Sequence, residues 1–180
     1  MRRLILSVLM ASLPSLPSVA ASAAESQLQD ALRLMRQPAP EPAWAKLQKL
    51  QAAHPGLPAR ALSSLQQRVK QQPGNGEAWF DLGILQVVAS EPKAASAAFA
   101  RAAHCRPHDP YTFAYQGFAL IEAGAPQSAM GPLRTALQLD PRNRFAKWAL
   151  AQAHYRKGDH HQAAKLLNPA SRAIRTQSLP

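Results

Sequence analysis

The residues best able to do chemistry in this 180-residue sequence are one cysteine, six histidines and ten carboxylates. The tightest grouping is His104, Cys105 and His108. Histidines four apart share a helical face, and with a thiolate between them they offer ligands that suit zinc. Pro107 stands inside the group, where a helix interior would lose a hydrogen bond and clash, so the spacing reads as a helix end. His160 and His161 follow Asp159 near a helix start and read as surface residues. A single cysteine excludes an intrachain disulfide and any multi-cysteine metal site; Cys105 itself is expected to be buried. No serine or cysteine sits in a nucleophile elbow, no glycine-rich phosphate loop is present, and carboxylates are too scarce to suggest a catalytic pair. The expectation is a non-enzyme with no catalytic residue, no metal and no cofactor.

Charge points to partners instead. The formal net charge is +11, and its distribution is uneven. Residues 24–75 hold seven basic and three acidic residues, whereas residues 144–180 hold seven basic residues and one acid, Asp159. The stretch between is close to neutral. Basic ends attract an acidic protein, an anionic membrane surface or a nucleic acid. The N-terminus makes the last the weakest reading. Met1-Arg2-Arg3 is basic, Leu4–Leu13 is an apolar run, Pro14 and Pro17 break it, and Ala21-Ser22-Ala23 is a small-x-small cleavage site. Residues 1–23 therefore read as an export signal, with Ala24 as the mature N-terminus. The run is too short to span a bilayer, so the expected location is the bacterial periplasm.

The rest of the chain is built for helices. Alanine is abundant and glycine sparse at 8 residues, which favours helix on side-chain and backbone entropy. In 76–109, Trp79, Leu82, Gly83, Ala95, Phe99, Ala102 and Pro107 occupy positions 4, 7, 8, 20, 24, 27 and 32 of a 34-residue unit. In 110–143 the same register gives Phe113, Gly117, Ala129, Leu133, Ala136 and Pro141, with Gln116 at position 7. In 144–177 it gives Leu150, Ala151, Gly158, Ala163, Leu167 and Ala170, with Arg175 in place of proline and Asn168-Pro169 interrupting the second helix. A poorer copy precedes these at 42–75, where Ala61, Leu65 and Pro73 keep register but Trp44 and Leu47 fall one residue early.

This pattern resembles the tetratricopeptide repeat, whose signature is W-x2-L-G followed by small and aromatic residues at those offsets. The resemblance implies an all-α fold of antiparallel helix pairs stacked as a right-handed superhelix. The expected organisation is 24–41 as N-terminal segment and linker, with a short helix at Ser26–Arg36; 42–75 as a degenerate unit with helices at 43–53 and 59–71; 76–109 and 110–143 as repeats; and 144–177 as a degenerate repeat or cap. Small residues at positions 8, 20 and 27 let paired helices approach, and Trp79, Leu82, Phe99 and Leu133 are expected in the core.

The resemblance also nominates a groove. Positions 2, 5, 9, 12 and 13 of each first helix line the concave face in this family. Carried over, the partner-binding candidates are Phe80, Ile84 and Val87; Tyr111, Phe118 and Ile121; and Phe145, Trp148, Tyr155 and Arg156. In the poorer unit the same positions give Ala43, Lys46, Leu50, Ala53 and His54. The face is apolar and aromatic, suited to apolar anchors on a peptide, and it lacks the lysine, arginine and asparagine pattern of carboxylate-clamp members. Some of these residues must instead pack neighbouring helices or receive the chain's own N-terminal segment. The implied function is a non-catalytic periplasmic adaptor that binds a protein or peptide with apolar anchors during assembly, secretion or maturation of an envelope protein. The alternative is a permanent structural subunit of an envelope complex. The GEAWFDLG stretch is equally similar to repeat domains of cytochrome c maturation, pilus, secretion and envelope-polysaccharide systems, so it selects no pathway.

Overall fold

The structure is a computed structural model that describes residues 19–37 and 41–167. Among these residues every regular element is a helix: α1 (Val19–Leu34), α2 (Glu41–Ala53), α3 (Leu57–Gln71), α4 (Gly76–Val88), α5 (Pro92–Cys105), α6 (Pro110–Glu122), α7 (Pro126–Leu139), α8 (Arg144–Arg156) and α9 (His160–Leu167). From α4 onward the helices form three antiparallel pairs, α4/α5, α6/α7 and α8/α9, each stacked on the next.

Local chemistry sets the ends of these helices at a fixed period. The residue before each first helix is a cap. Asn75 Oδ1 accepts from the Ala78 amide at 3.0 Å, Asp109 Oδ1 from Tyr111 at 3.0 Å, and Asn143 Oδ1 from Ala146 at 2.9 Å, each satisfying an amide that the helix leaves orphaned. Asp109 also accepts from Thr112 Oγ1 at 2.8 Å and pairs with Arg106 at 3.0 Å, which ties two units together. Pro92 and Pro126 open α5 and α7 at the first turn, where a missing N–H costs least.

Each pair turns through one left-handed residue, at Ser90 (φ 60°), Gly124 (φ 79°) and Gly158 (φ 89°). The next amide reaches back to close the helix: Glu91 to Gln86 O at 2.8 Å, Ala125 to Leu120 O at 2.9 Å and Asp159 to His154 O at 2.9 Å. These are Schellman closures, which need a positive φ. Two units supply glycine, and the first supplies serine.

Close approach explains the glycine at position 8. A Cβ on Gly83 would lie 2.7 Å from the Phe99 ring, and one on Gly117 would overlap the Leu133 side chain. Each glycine thus meets the position-24 residue of its own unit. Leu82, Phe99 and Leu133 are buried as expected, but Trp79 is half-buried and donates its indole N–H to Pro73 O at 2.9 Å. The deepest layer is aromatic: Phe80, Phe99 and Tyr115 lie with ring centroids 5.4–5.7 Å apart. Leu167, the position-24 residue of the last unit, is instead 56% exposed at the end of the described helices.

The N-terminal third departs further. The helices at 43–53 and 59–71 appear as α2 and α3, but α2 packs far more against α1 than against α3, while α3 packs on α4. Their bounds therefore match a repeat unit and their pairing does not. α1 is longer than the short helix expected at Ser26–Arg36, beginning at Val19 inside the expected signal segment. It contributes Ala24, Leu28, Ala31 and Leu32 to the core, followed by Met35. Residues 1–18 of the expected signal, the linker residues 38–40 and the tail 168–180 lie outside the described residues. No described helix is long and apolar enough to cross a membrane.

A candidate protein-binding cleft on the inner face

The first helices α4, α6 and α8 lie in succession and present one inner face, and the N-terminal hairpin α1–α2 covers part of it. Arg36, just beyond α1, carries the covering contact. Its guanidinium pairs with Asp81 at 2.6 Å and Glu77 at 3.2 Å, and sits 5.5 Å from the centre of the Phe80 ring. Met35 is fully buried, with its sulfur 3.3 Å from the Tyr115 hydroxyl, which donates to it. Burial pushes the Asp81 carboxyl above the usual carboxylate range, against the opposing pull of Arg36. Desolvation of this acid thus outweighs its ion pair.

The ten groove candidates divide accordingly. Phe80, Ile84 and Ile121 are buried, with at most 1% of their surface exposed, so in this structure they present no surface to a partner. This corrects the groove assignment for those three. Their helix positions are right, but Phe80 and Ile84 belong to the core that also holds the N-terminal hairpin, and Ile121 joins the core of the next pair. Val87 and Tyr111 are half-buried and pack on the same core. Burial, then Asp140 and Asp109, raises the Tyr111 phenol. Arg156 is engaged internally, donating to Ile121 O at 3.0 Å and pairing with Glu122 at 2.7 Å.

Three candidates meet at an open cleft. Phe118, Phe145 and Trp148 line it together with Trp44, Arg144, Lys147, Leu166 and Leu167, around a volume of ≈ 580 Å³. The rings of Phe118, Phe145 and Trp148 lie 5.7–5.9 Å apart and hold one another in place. Trp148 is 40% exposed, a large apolar area for a helical side chain to leave in water. Tyr155, more exposed still, is elsewhere. It packs edge-on against His160 and lines a shallower depression with Ala151, Gln152 and Ala163.

Sequence reasoning missed Trp44 as part of this wall, along with the two cations. Trp44 falls out of register in the poorer unit, so its placement there hid its role. In that unit Ala43 and Leu50 are buried and Lys46 pairs with Asp30 at 3.8 Å, while Ala53 and His54 are exposed. The histidine–cysteine group does not form a site among the described residues. α5 ends at Cys105, so His108 leaves the helix; Cys105 is half-buried, not buried, 3.8 Å from Pro73 O.

The Tetratricopeptide repeat family profile matches residues 120–179. No curated protein matches the sequence. Among solved structures, the chain is similar to MamA from Desulfovibrio magneticus RS-1, at 20% identity and a TM-score of 0.60, covering 87% of this chain and 97% of that one. It is likewise similar to another MamA crystal structure, at 21% identity and a TM-score of 0.61, covering 89% of this chain and 97% of that one. At such identity the likeness establishes the helical solenoid alone. With the 34-residue register, the three stacked pairs and the family match over 120–179 in agreement, residues 76–167 form a helical solenoid of the tetratricopeptide-repeat type, a scaffold for protein interaction.

Proposed function

We propose that the chain is a non-catalytic adaptor that captures an apolar-anchored segment of a protein partner at the open cleft, and that it works in the bacterial periplasm on an envelope protein. The observation that carries this reading is Trp148, 40% exposed on a wall of stacked rings beside Trp44. A preformed apolar cleft lets a partner bury its anchor while ordering little of the scaffold. Export fits the leader-like residues 1–23. Cleavage after Ala23 would shorten α1 at its start and keep Ala24, Leu28, Ala31 and Leu32 in the core.

The test is affinity capture from an envelope extract with the wild-type chain and a Phe118→Ala/Trp148→Ala variant of matched helicity. The reading expects a bound protein that the variant loses. An identical bound set from both chains would overturn it. Fractionation of the host cell, with the N-terminal residue of the recovered protein determined, checks location. Recovery in the cytoplasm with Met1 retained would refute export.

A further inference from the structure

The cleft carries charge as well as rings. We infer that it takes an acidic segment of the partner, seating one bulky apolar side chain between Trp44 and Trp148 with neighbouring carboxylates at Arg144 and Lys147. This rests on the protein-binding reading above and adds the chemistry of the partner.

Two cations and no carboxylate, among the described residues, line the cleft. Among the described residues, neither Arg144 nor Lys147 takes part in an ion pair. The nearby cation Arg156 differs, being paired with Glu122. Residues 144–167 hold five lysines and arginines against one acid, Asp159, which is engaged by His154 at 3.2 Å. Arg144 and Lys147 are therefore left without an ion-pair partner among the described residues, beside a low-dielectric aromatic wall that strengthens their field. Charge of this kind selects a complementary partner and speeds its approach, while the apolar anchor supplies the burial.

The same charge argues against the chain's own tail. Residues 168–180 follow directly from Leu167 on the cleft wall, but they carry Arg172 and Arg175 and no acid. Single-stranded nucleic acid would need a series of free ring faces along a basic track. Here Phe118 and Phe145 are half-buried and packed on Trp148, leaving one recess. A recess also suits a side chain better than a flat lipid surface.

The inference is tested by fluorescence anisotropy on the full chain with three labelled dodecapeptides. The first holds a central Leu-Trp pair flanked by Asp and Glu. In the second the flanks are Lys and Arg, and in the third the Leu-Trp pair becomes Ala-Ala. The first should bind about tenfold tighter than the second and measurably tighter than the third. Arg144→Glu/Lys147→Glu should reverse the preference for charge, and Trp148→Ala should weaken the first peptide, with helicity checked by circular dichroism. Equal, Trp148-dependent binding of the first two peptides would overturn the acidic inference and leave the adaptor reading intact. Equal binding of the third peptide, of oligothymidylate or of anionic phosphatidylglycerol vesicles would identify a general anion surface and overturn it too. Binding of none of the peptides overturns it as well; the capture experiment separately decides the adaptor reading.

Discussion

Arg36→Ala should release the N-terminal hairpin from the inner face. The side chain makes three interactions there. The pair with Glu77 is worth little, because that carboxylate is mostly exposed. The contact with the Phe80 ring contributes about 0.5–1 kcal/mol. The main term is Asp81, whose side chain is only 18% exposed, like the 19% of Arg36 itself. Removing one partner from a fully buried pair costs about 3–5 kcal/mol, and the residual exposure reduces that, so the expected total is about 2–4 kcal/mol. The assay is urea unfolding by circular dichroism, with hydrogen exchange to show whether α1 and α2 lose protection first.

Asp81→Asn in the Arg36→Ala background should recover about 1–2 kcal/mol by removing the uncompensated charge. The pH dependence follows from the raised carboxyl. A folded value above the ordinary 3.8 means the folded state takes up a proton first, so this group adds stability as pH falls through its folded value and costs stability above it. Without Arg36 the window widens upward, and Arg36→Ala should approach the stability of the double variant as the solution is acidified. A loss below about 0.5 kcal/mol, or equal instability of single and double variants at neutral pH, would refute the account of the hairpin anchor.

Gly117→Ala should destabilise, because overpacking of about 1–3 kcal/mol against Leu133 exceeds the helix-propensity gain of about 1 kcal/mol. In a Leu133→Ala background the same change should become stabilising, and stabilisation in both backgrounds would contradict the close-approach argument. Ser90→Gly should raise stability by up to about 1 kcal/mol by relieving a positive φ, while Gly124→Ala should lower it by a similar amount, both read from denaturant midpoints. Phe99→Ala should cost about 3–5 kcal/mol through cavity formation among Phe80, Tyr115 and Gly83. Trp148→Ala, at the surface of the cleft, should cost clearly less and weaken partner binding; equal unfolding by both would return Trp148 to the core.

The amino-acid sequence alone determined the repeat. Its evidence is local: Gly83 meets Phe99 and Gly117 meets Leu133 within single units, and the turn at Gly124 and Gly158 recurs at one position. Contacts confined to one unit leave a periodic trace in the residues. That trace also yielded Phe118, Phe145 and Trp148 as inner-face residues. The serine at the first turn was hidden because only the backbone angle at Ser90 reveals that all three units share the conformation. Tertiary structure alone decided which inner-face positions stay open. Phe80 and Trp148 hold the same repeat position, yet one is sealed in the core beside Arg36 and Met35 and the other lines a cleft. The difference comes from a hairpin more than forty residues upstream, held by Arg36–Glu77 and Arg36–Asp81 contacts at separations of 41 and 45 residues. Such docking joins a non-repeating segment to a repeating one, so no period encodes it. The placement of Trp44 against the last helix pair, which completes the cleft, is visible only once the chain has folded back on itself.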